Sequence, residues 1–147
     1  MRDDRVLIID DDAETAAALG AALADAGLAA ESVDETFAAI DKLRAWSYRA
    51  VILDPAIRHR LNGYAVLNFL ELEQPQTLDR VFLLTGMSEQ TIRRTAPAIL
   101  PRLFRKPCAL PSLAAAVIEA CGVRRPLDVA RLNNRVSPLM YHKNLRR

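Results

Sequence analysis

Four short apolar runs, each leading into a polar group, constrain this chain more than any other feature. Val6, Leu7, Ile8 and Ile9 run straight into three acids, Asp10, Asp11 and Asp12. Ala50, Val51, Ile52 and Leu53 end on Asp54. Val81, Phe82, Leu83 and Leu84 end on Thr85 and Gly86, and a weaker run, Leu103-Phe104, leads into Lys106-Pro107. Continuous apolar runs of this length read as strands buried on both faces, the habit of parallel sheets. In an open parallel α/β sheet, ligands sit in the crevice outside the carboxyl ends of the strands. Carboxylates, a hydroxyl and a lysine would therefore meet in one pocket. That combination can hold a divalent metal and a phosphoryl group.

Helical patterns alternate with these runs. A strand is expected over residues 5–10, then an Ala- and Leu-rich helix over 13–26 that Gly27 stops. A weaker strand covers 28–33. Phe37, Ile40 and Leu43 stand at helical spacing in 35–46, with Trp46 closing the end of that helix over the core. A strand over 49–54, a loop over 55–62 and a helix over 63–74 follow, the last with Val66, Leu67, Phe69 and Leu70 inward. Residues 80–85 read as a strand. Residues 88–100 read as a short helix with Ser88 as N-cap, Thr91 standing where a capping box would place an acid or amide. A short strand over 102–106 precedes a last helix, opened by Pro111-Ser112 and ending near Gly122. Five βα units in order predict an α/β fold, a parallel doubly wound sheet with helices on both faces.

A chain of 147 residues with 51% hydrophobic and 26% charged residues suits one soluble globular domain. The net charge of +2 argues against a nucleic-acid partner. Its distribution is uneven. Residues 1–122 hold 13 Lys and Arg against 17 Asp and Glu, whereas 123–147 hold 7 against one. The tail is thus a distinct basic extension. Pro126 can open a helix there, and Val129, Leu132 and Val136 form an apolar stripe, so partial helix is expected. Cys108 and Cys121 have neither metal-site spacing nor disulfide density and read as small apolar residues in a reducing cytoplasm. No apolar stretch approaches the length of a membrane span, and no signal-peptide pattern opens the chain. His59 and His142 are isolated and receive no role.

The chemistry follows from charge. Carboxylates about 4–5 Å apart repel by several kcal/mol at an effective dielectric near 20. A hard cation among their oxygens makes the cluster tolerable, and Mg²⁺ suits one or two carboxylates together with phosphate. A carboxylate can also attack phosphorus to give an aspartyl phosphate. The incoming group then needs positive charge and hydrogen-bond donors. Lys106 and Thr85 offer both. Taken singly, each motif has a plainer reading: an N-cap cluster at Asp10, Asp11 and Asp12, a turn residue at Asp54, a helix cap at Thr85, a surface lysine at Lys106.

Taken together and in order, over about residues 4–122, these motifs resemble the receiver domains of two-component response regulators. The resemblance implies a five-stranded flavodoxin-like sheet of order 2-1-3-4-5. It implies that Asp10 and Asp11 hold Mg²⁺ with Asp54 and the Ala56 carbonyl, that Asp54 is the phosphoacceptor, and that Thr85 and Lys106 contact the phosphoryl group. It also implies a cis Lys106-Pro107 peptide, with Asp12 outside the metal's direct ligands. The expected function is a cytoplasmic signalling receiver, phosphorylated by a sensor histidine kinase or phosphotransfer protein. Its surface around the fourth helix, fifth strand and fifth helix would change for a downstream protein partner or a homodimer. No enzyme activity is expected beyond self-phosphorylation from a donor and autodephosphorylation. The 25 residues after the domain are too few for an output domain, so the chain is a single-domain regulator or stops before the next domain.

The chain departs from the family pattern in two places. The loop after Asp54 usually carries Pro a few residues on and then Gly; here Pro55 follows at once, Arg58 stands later, and Asn62-Gly63 comes about one residue late. The switch position of the fifth strand, usually Tyr or Phe, falls on Leu103, and the adjacent Phe104 should face the other way. The irregular loop leaves an alternative, a pseudo-receiver that binds partners without being phosphorylated. A Mg²⁺-dependent phosphohydrolase with Asp54 as nucleophile would want an acid two residues on, where Ala56 stands.

Overall fold

The computed structural model describes residues 5–57, 63–95, 97–107 and 109–121. The basic extension 123–147, with Cys108, His59, Arg58 and Asn62, lies outside the described residues. Strands β1 (Val6–Ile9), β2 (Ala30–Val33), β3 (Ala50–Leu53), β4 (Val81–Thr85) and β5 (Leu103–Arg105) form one parallel sheet. Its order is β2-β1-β3-β4-β5, as expected. Helices α1 (Ala13–Asp25), α2 (Thr36–Ala45), α3 (Tyr64–Glu73), α4 (Glu89–Thr95) and α5 (Leu110–Cys121) connect and cover the strands. Among the described residues no helix is long and apolar enough to cross a membrane.

Successive strand residues point to opposite faces, which sorts the apolar runs into two cores. Leu7, Ile9, Val51, Leu53, Val81 and Leu83 pack with Leu43, Val66, Leu70 and Ile92 from α2, α3 and α4. Val6, Ile8, Ala50, Ile52, Phe82 and Leu84 pack with Leu19, Leu23, Leu113 and Val117 from α1 and α5. Strands β1, β3 and β4 are buried along their whole length, while β2 and β5 at the sheet edges are only partly covered. A fully buried Val, Leu, Ile or Phe is stabilised by about 1.5–3 kcal/mol. The three central runs therefore carry most of the sheet's hydrophobic stabilisation, and the edge strands fold on weaker patterns. Leu103 packs on the α4 side and Phe104 on the α5 side, as alternation requires.

The helix ends follow local chemistry. The Asp12 carboxylate caps α1, accepting from the backbone N–H groups of Glu14 and Thr15. At the other end Gly27 takes φ +90°. Its N–H donates to Ala24 O and the Leu28 N–H to Leu23 O, at 3.0 and 2.8 Å. This is the Schellman pattern, and it needs a residue that tolerates positive φ. Ser88 Oγ accepts the Thr91 N–H at 3.2 Å and pairs with the Thr91 hydroxyl at 2.8 Å, so a hydroxyl stands in for the missing acid. Trp46 ends α2, its N–H donating to Lys42 O, and packs against the core.

Three local expectations need correction. Helix α2 buries Thr36, Ala39 and Leu43, which leaves Phe37 46% exposed and Ile40 half-buried. Position 37 lies about 100° around the helix from position 36, and small Ala39 is the residue that meets the core. The expected single helix over 88–100 is two pieces, α4 and a 3-10 helix Pro97–Arg102. Proline cannot donate an N–H and its ring clashes with the carbonyl four residues back, which breaks an α-helix near Pro97. A second 3-10 helix, Pro75–Arg80, fills the stretch between α3 and β4, with Pro75 in its first turn.

Gly63 positions the site loop. Its φ of −64° is ordinary, so conformational freedom is not the reason for glycine. Space is. A Cβ here would lie 2.6 Å from Pro55 Cα and 2.7 Å from Asp54 O. The Gly63 N–H donates to Pro55 O at 3.1 Å, clamping the start of α3 onto the end of β3. Overpacking against backbone costs about 1–3 kcal/mol, so Gly63→Ala should lower stability by that amount. Gly20, inside α1 with nothing within 4 Å of its Cβ position, serves as control. Gly20→Ala should raise stability by about 0.5–1 kcal/mol through helix propensity. Denaturant melts of the two variants check this. A Gly63→Ala chain as stable as the parent would overturn the close approach.

Candidate functional site

Register alone brings the acids together. Ile9 pairs with Leu53, and Leu53 with Leu83, so β1, β3 and β4 finish at a common edge. The ladder continues through the acids: the Asp10 N–H donates to Val33 O and the Asp54 N–H to Ile9 O, at 3.1 and 2.9 Å. Asp10 and Asp54 are 3% and 7% exposed, and Thr85 is fully buried. Lys106 follows β5, and its N–H donates to Thr85 O at 2.9 Å, which seats the lysine over the end of β4.

The Lys106 ammonium lies between the two buried carboxylates. Nζ donates to Asp10 Oδ2 at 2.8 Å and to Asp54 Oδ2 at 2.9 Å. The second oxygen of each acid accepts a backbone N–H two residues on. Asp12 N–H meets Asp10 Oδ1 and Ala56 N–H meets Asp54 Oδ1, both at 2.9 Å. Burial pushes the Asp10 pKa up, against the opposing pull of the Lys106 and Asp12 hydrogen bonds. Burial also works against the Lys106 ammonium, but hydrogen bonds and charge from both acids outweigh it and hold its pKa above the usual lysine value.

Local turn chemistry explains Asp54. The Ile57 N–H donates to Asp54 O, closing a turn with Pro55 in its second position. Asp is favoured at the first position of such turns and Pro at the second. The plain reading of Asp54 as a turn residue and the functional one are thus both satisfied, since the turn aims its carboxylate at Lys106.

The remaining predicted residues divide. Thr85 Oγ1 accepts the Met87 N–H at 3.1 Å, and an accepting hydroxyl keeps its own proton to donate. Asp12 is exposed and spends its carboxylate on the α1 cap and the Thr15 hydroxyl. The Thr15 hydroxyl chiefly holds the Asp12 pKa below the usual value. Asp11 and Ala56 are exposed at the same strand ends. Among the described residues no three acids, histidines or cysteines gather at metal-binding range, so Asp10, Asp11 and Asp54 do not form the closed trio that the sequence suggests. The lysine already offsets the charge between Asp10 and Asp54. The donor set facing it is oxygen only, which suits a hard divalent cation, and two carboxylates against one ammonium leave a net negative charge for such an ion to meet. The Lys106-Pro107 peptide is cis. A groove of about 530 Å³ opens beside Lys106, lined by Asp12, Glu14, Thr15, Ala18, Leu84, Pro107 and Leu110.

Sequence reasoning missed Gly63, Tyr64 and Met87 as parts of this site. Asn62-Gly63 was a visible turn signal, but its cause is a tertiary approach. Tyr64 O–H donates to Met87 Sδ at 3.8 Å, a contact between two loops that no local pattern announces.

The comparisons agree with this geometry. A model of the response regulator receiver domain matches residues 6–118. No curated protein matches the sequence. Among solved structures, a Francisella response regulator receiver domain superposes with a TM-score of 0.69 at 18% identity, covering 82% of this chain and 98% of that one. The beryllofluoride-activated NtrC4 receiver domain dimer gives 0.70 at 20% identity, covering 80% and 96%. A Burkholderia pseudomallei response regulator with a phosphorylated aspartic acid, calcium ion and citrate gives 0.65 at 22% identity, covering 82% and 69%. The family match begins on the first residue of β1 and runs into α5, through every strand end described above, and the chain belongs to the response regulator receiver domain family.

Proposed function

We propose that Asp54 accepts a phosphoryl group, from a sensor histidine kinase or a phosphotransfer protein, and that this chain is a phosphorylation-dependent receiver. One observation carries the reading: a buried carboxylate held on one side by the Ala56 N–H and on the other by the Lys106 ammonium. An Asp54 oxygen forms the new P–O bond as the donor's P–N bond breaks, and that electron pair leaves with the donor's imidazole nitrogen. Lys106 follows the charge from the carboxylate onto a phosphoryl oxygen. The Thr85 hydroxyl donates to another. The groove beside Lys106 leaves a side for the donor to approach. The Burkholderia pseudomallei neighbour, with its phosphorylated aspartic acid and calcium ion, supports both the acceptor and a divalent ion.

Asp10, Asp11 and Asp54, with the Ala56 carbonyl, are the residues that would hold Mg²⁺. Bound there, the ion offsets charge on the phosphoryl oxygens. The same acids need such an ion less while Lys106 sits between them, so binding in the absence of phosphate should be weak. The basic extension 123–147 is proposed to dock on a receiver surface, its own or that of a second copy. Its apolar stripe needs a partner, since an isolated helix of about ten residues is marginal in water. The NtrC4 neighbour is a dimer, which supports the second-copy version.

Three outcomes follow. Incubation with a small phosphodonor and Mg²⁺ should add one phosphoryl group, and near-isosteric Asp54→Asn should abolish it in intact-mass measurements. Modification that survives Asp54→Asn would refute the acceptor, and an unmodified parent chain would favour the non-phosphorylated interaction module. Mg²⁺ binds the native state only, so at ten times its Kd it should add about 1.4 kcal/mol of stability. Asp11→Ala should remove most of that gain, whereas a melting temperature indifferent to millimolar Mg²⁺ counts against the site. Deleting residues 126–147 should lower the melting temperature or turn a dimer into a monomer in light scattering. Identical values for both chains would reduce the extension to a linker.

A further inference from the structure

Two loops meet at Tyr64 and Met87, and each is tied to a different group of the site. Tyr64 directly follows Gly63, whose backbone is clamped on Pro55 and leaves no room for a Cβ beside Asp54 O. The position of Tyr64 therefore follows the acceptor loop. Met87 is tied to the other side, because its N–H donates to the buried Thr85 Oγ1 at 3.1 Å. The Tyr64 hydroxyl spans the gap, donating to Met87 Sδ at 3.8 Å.

A thioether is a weak acceptor, and methionine is unbranched and adaptable. This is the contact that yields first when the two loops move relative to each other. Both side chains are half-buried at the rim of the core, so their change is presented at the surface. On the same face of the sheet, Leu103 of β5 carries no polar atom that could follow the Thr85 hydroxyl.

We infer that the Tyr64–Met87 pair couples the occupancy of Asp54 to the surface where α3 and α4 begin. As Thr85 Oγ1 turns toward an oxygen on the occupied acceptor, the Met87 backbone follows it. Its Sδ then leaves the Tyr64 hydroxyl. This rests on the reading of Asp54 as acceptor. The bland alternative is rim packing that ignores the site.

Methionine methyl NMR separates the two. The chain has three methionines, and Met87→Leu assigns the Met87 signal. Beryllofluoride with Mg²⁺ serves as the phosphoryl mimic, and its own fluorine resonance reports binding. In the parent chain the Met87 methyl should shift as the bound fluorine signal grows. In Tyr64→Phe, which removes only the hydroxyl, the fluorine signal should be retained and the binding-induced Met87 shift lost. Bound fluoride with an unmoved Met87 methyl overturns the coupling, as does a Tyr64→Phe chain with the parent's shift. An absent bound fluorine signal in the parent chain instead overturns the acceptor reading, and the inference falls with it.

Discussion

The ammonium of Lys106, held between two buried carboxylates, is the interaction on which the site depends. Asp10 and Asp54 lie 96 and 52 residues before it in sequence, so only the folded sheet brings the three together. A buried charge without its partner costs several kcal/mol, and here two acids share one cation. The arrangement is balanced enough to fold and short of positive charge enough to attract more. Burial raising the Asp10 pKa and two acids raising that of Lys106 are two sides of this one fact.

Strand order turns that interaction into a site. The adjacent central strands β1 and β3 end on the two acids, β4 ends on the hydroxyl, and edge strand β5 delivers the lysine. Lys106 must reach back across the end of β4 to meet the acids. Its backbone bond to Thr85 O makes that possible, because it fixes the lysine directly above the strand it has to cross. The hydroxyl and the ammonium are therefore placed by the same residue pair. The hydrophobic runs beneath hold the strand ends rigid, while the groups that do chemistry sit where the runs stop.

How much of this was legible varied with the range of the interaction. Runs such as Val6 to Ile9 announce doubly buried strands because burial on both faces removes all polar alternation. Asp10, Asp54, Thr85 and Lys106 were legible for the same reason, as the first polar groups after such runs. Gly27 and Ser88 were legible because caps are local. Pro97 was visible too, but the helical pattern around it hid the break that its missing N–H imposes. Phe37 was misread because its helix meets the core through small Ala39, which depends on what lies underneath. The three-acid cluster was overdrawn since counting acids at strand ends takes no account of a lysine arriving from residue 106. Gly63 and the Tyr64–Met87 contact depend on which loops meet, and no periodicity encodes that.

The irregular loop after Asp54 is the departure that most tempts a reading of lost function, and the turn chemistry argues against it. Asp54 is held by bonds that close within three residues: Ala56 N–H to its carboxylate and Ile57 N–H to its carbonyl. Pro55 favours that turn by fixing φ at its second position. The loop rejoins at Gly63, whose missing side chain lets its backbone lie against Asp54 and Pro55. Both ends of the insertion are thus pinned to the acceptor by backbone contacts that ignore the residues between them. A change in loop length is absorbed in the loop, and the carboxylate keeps its place beside Lys106.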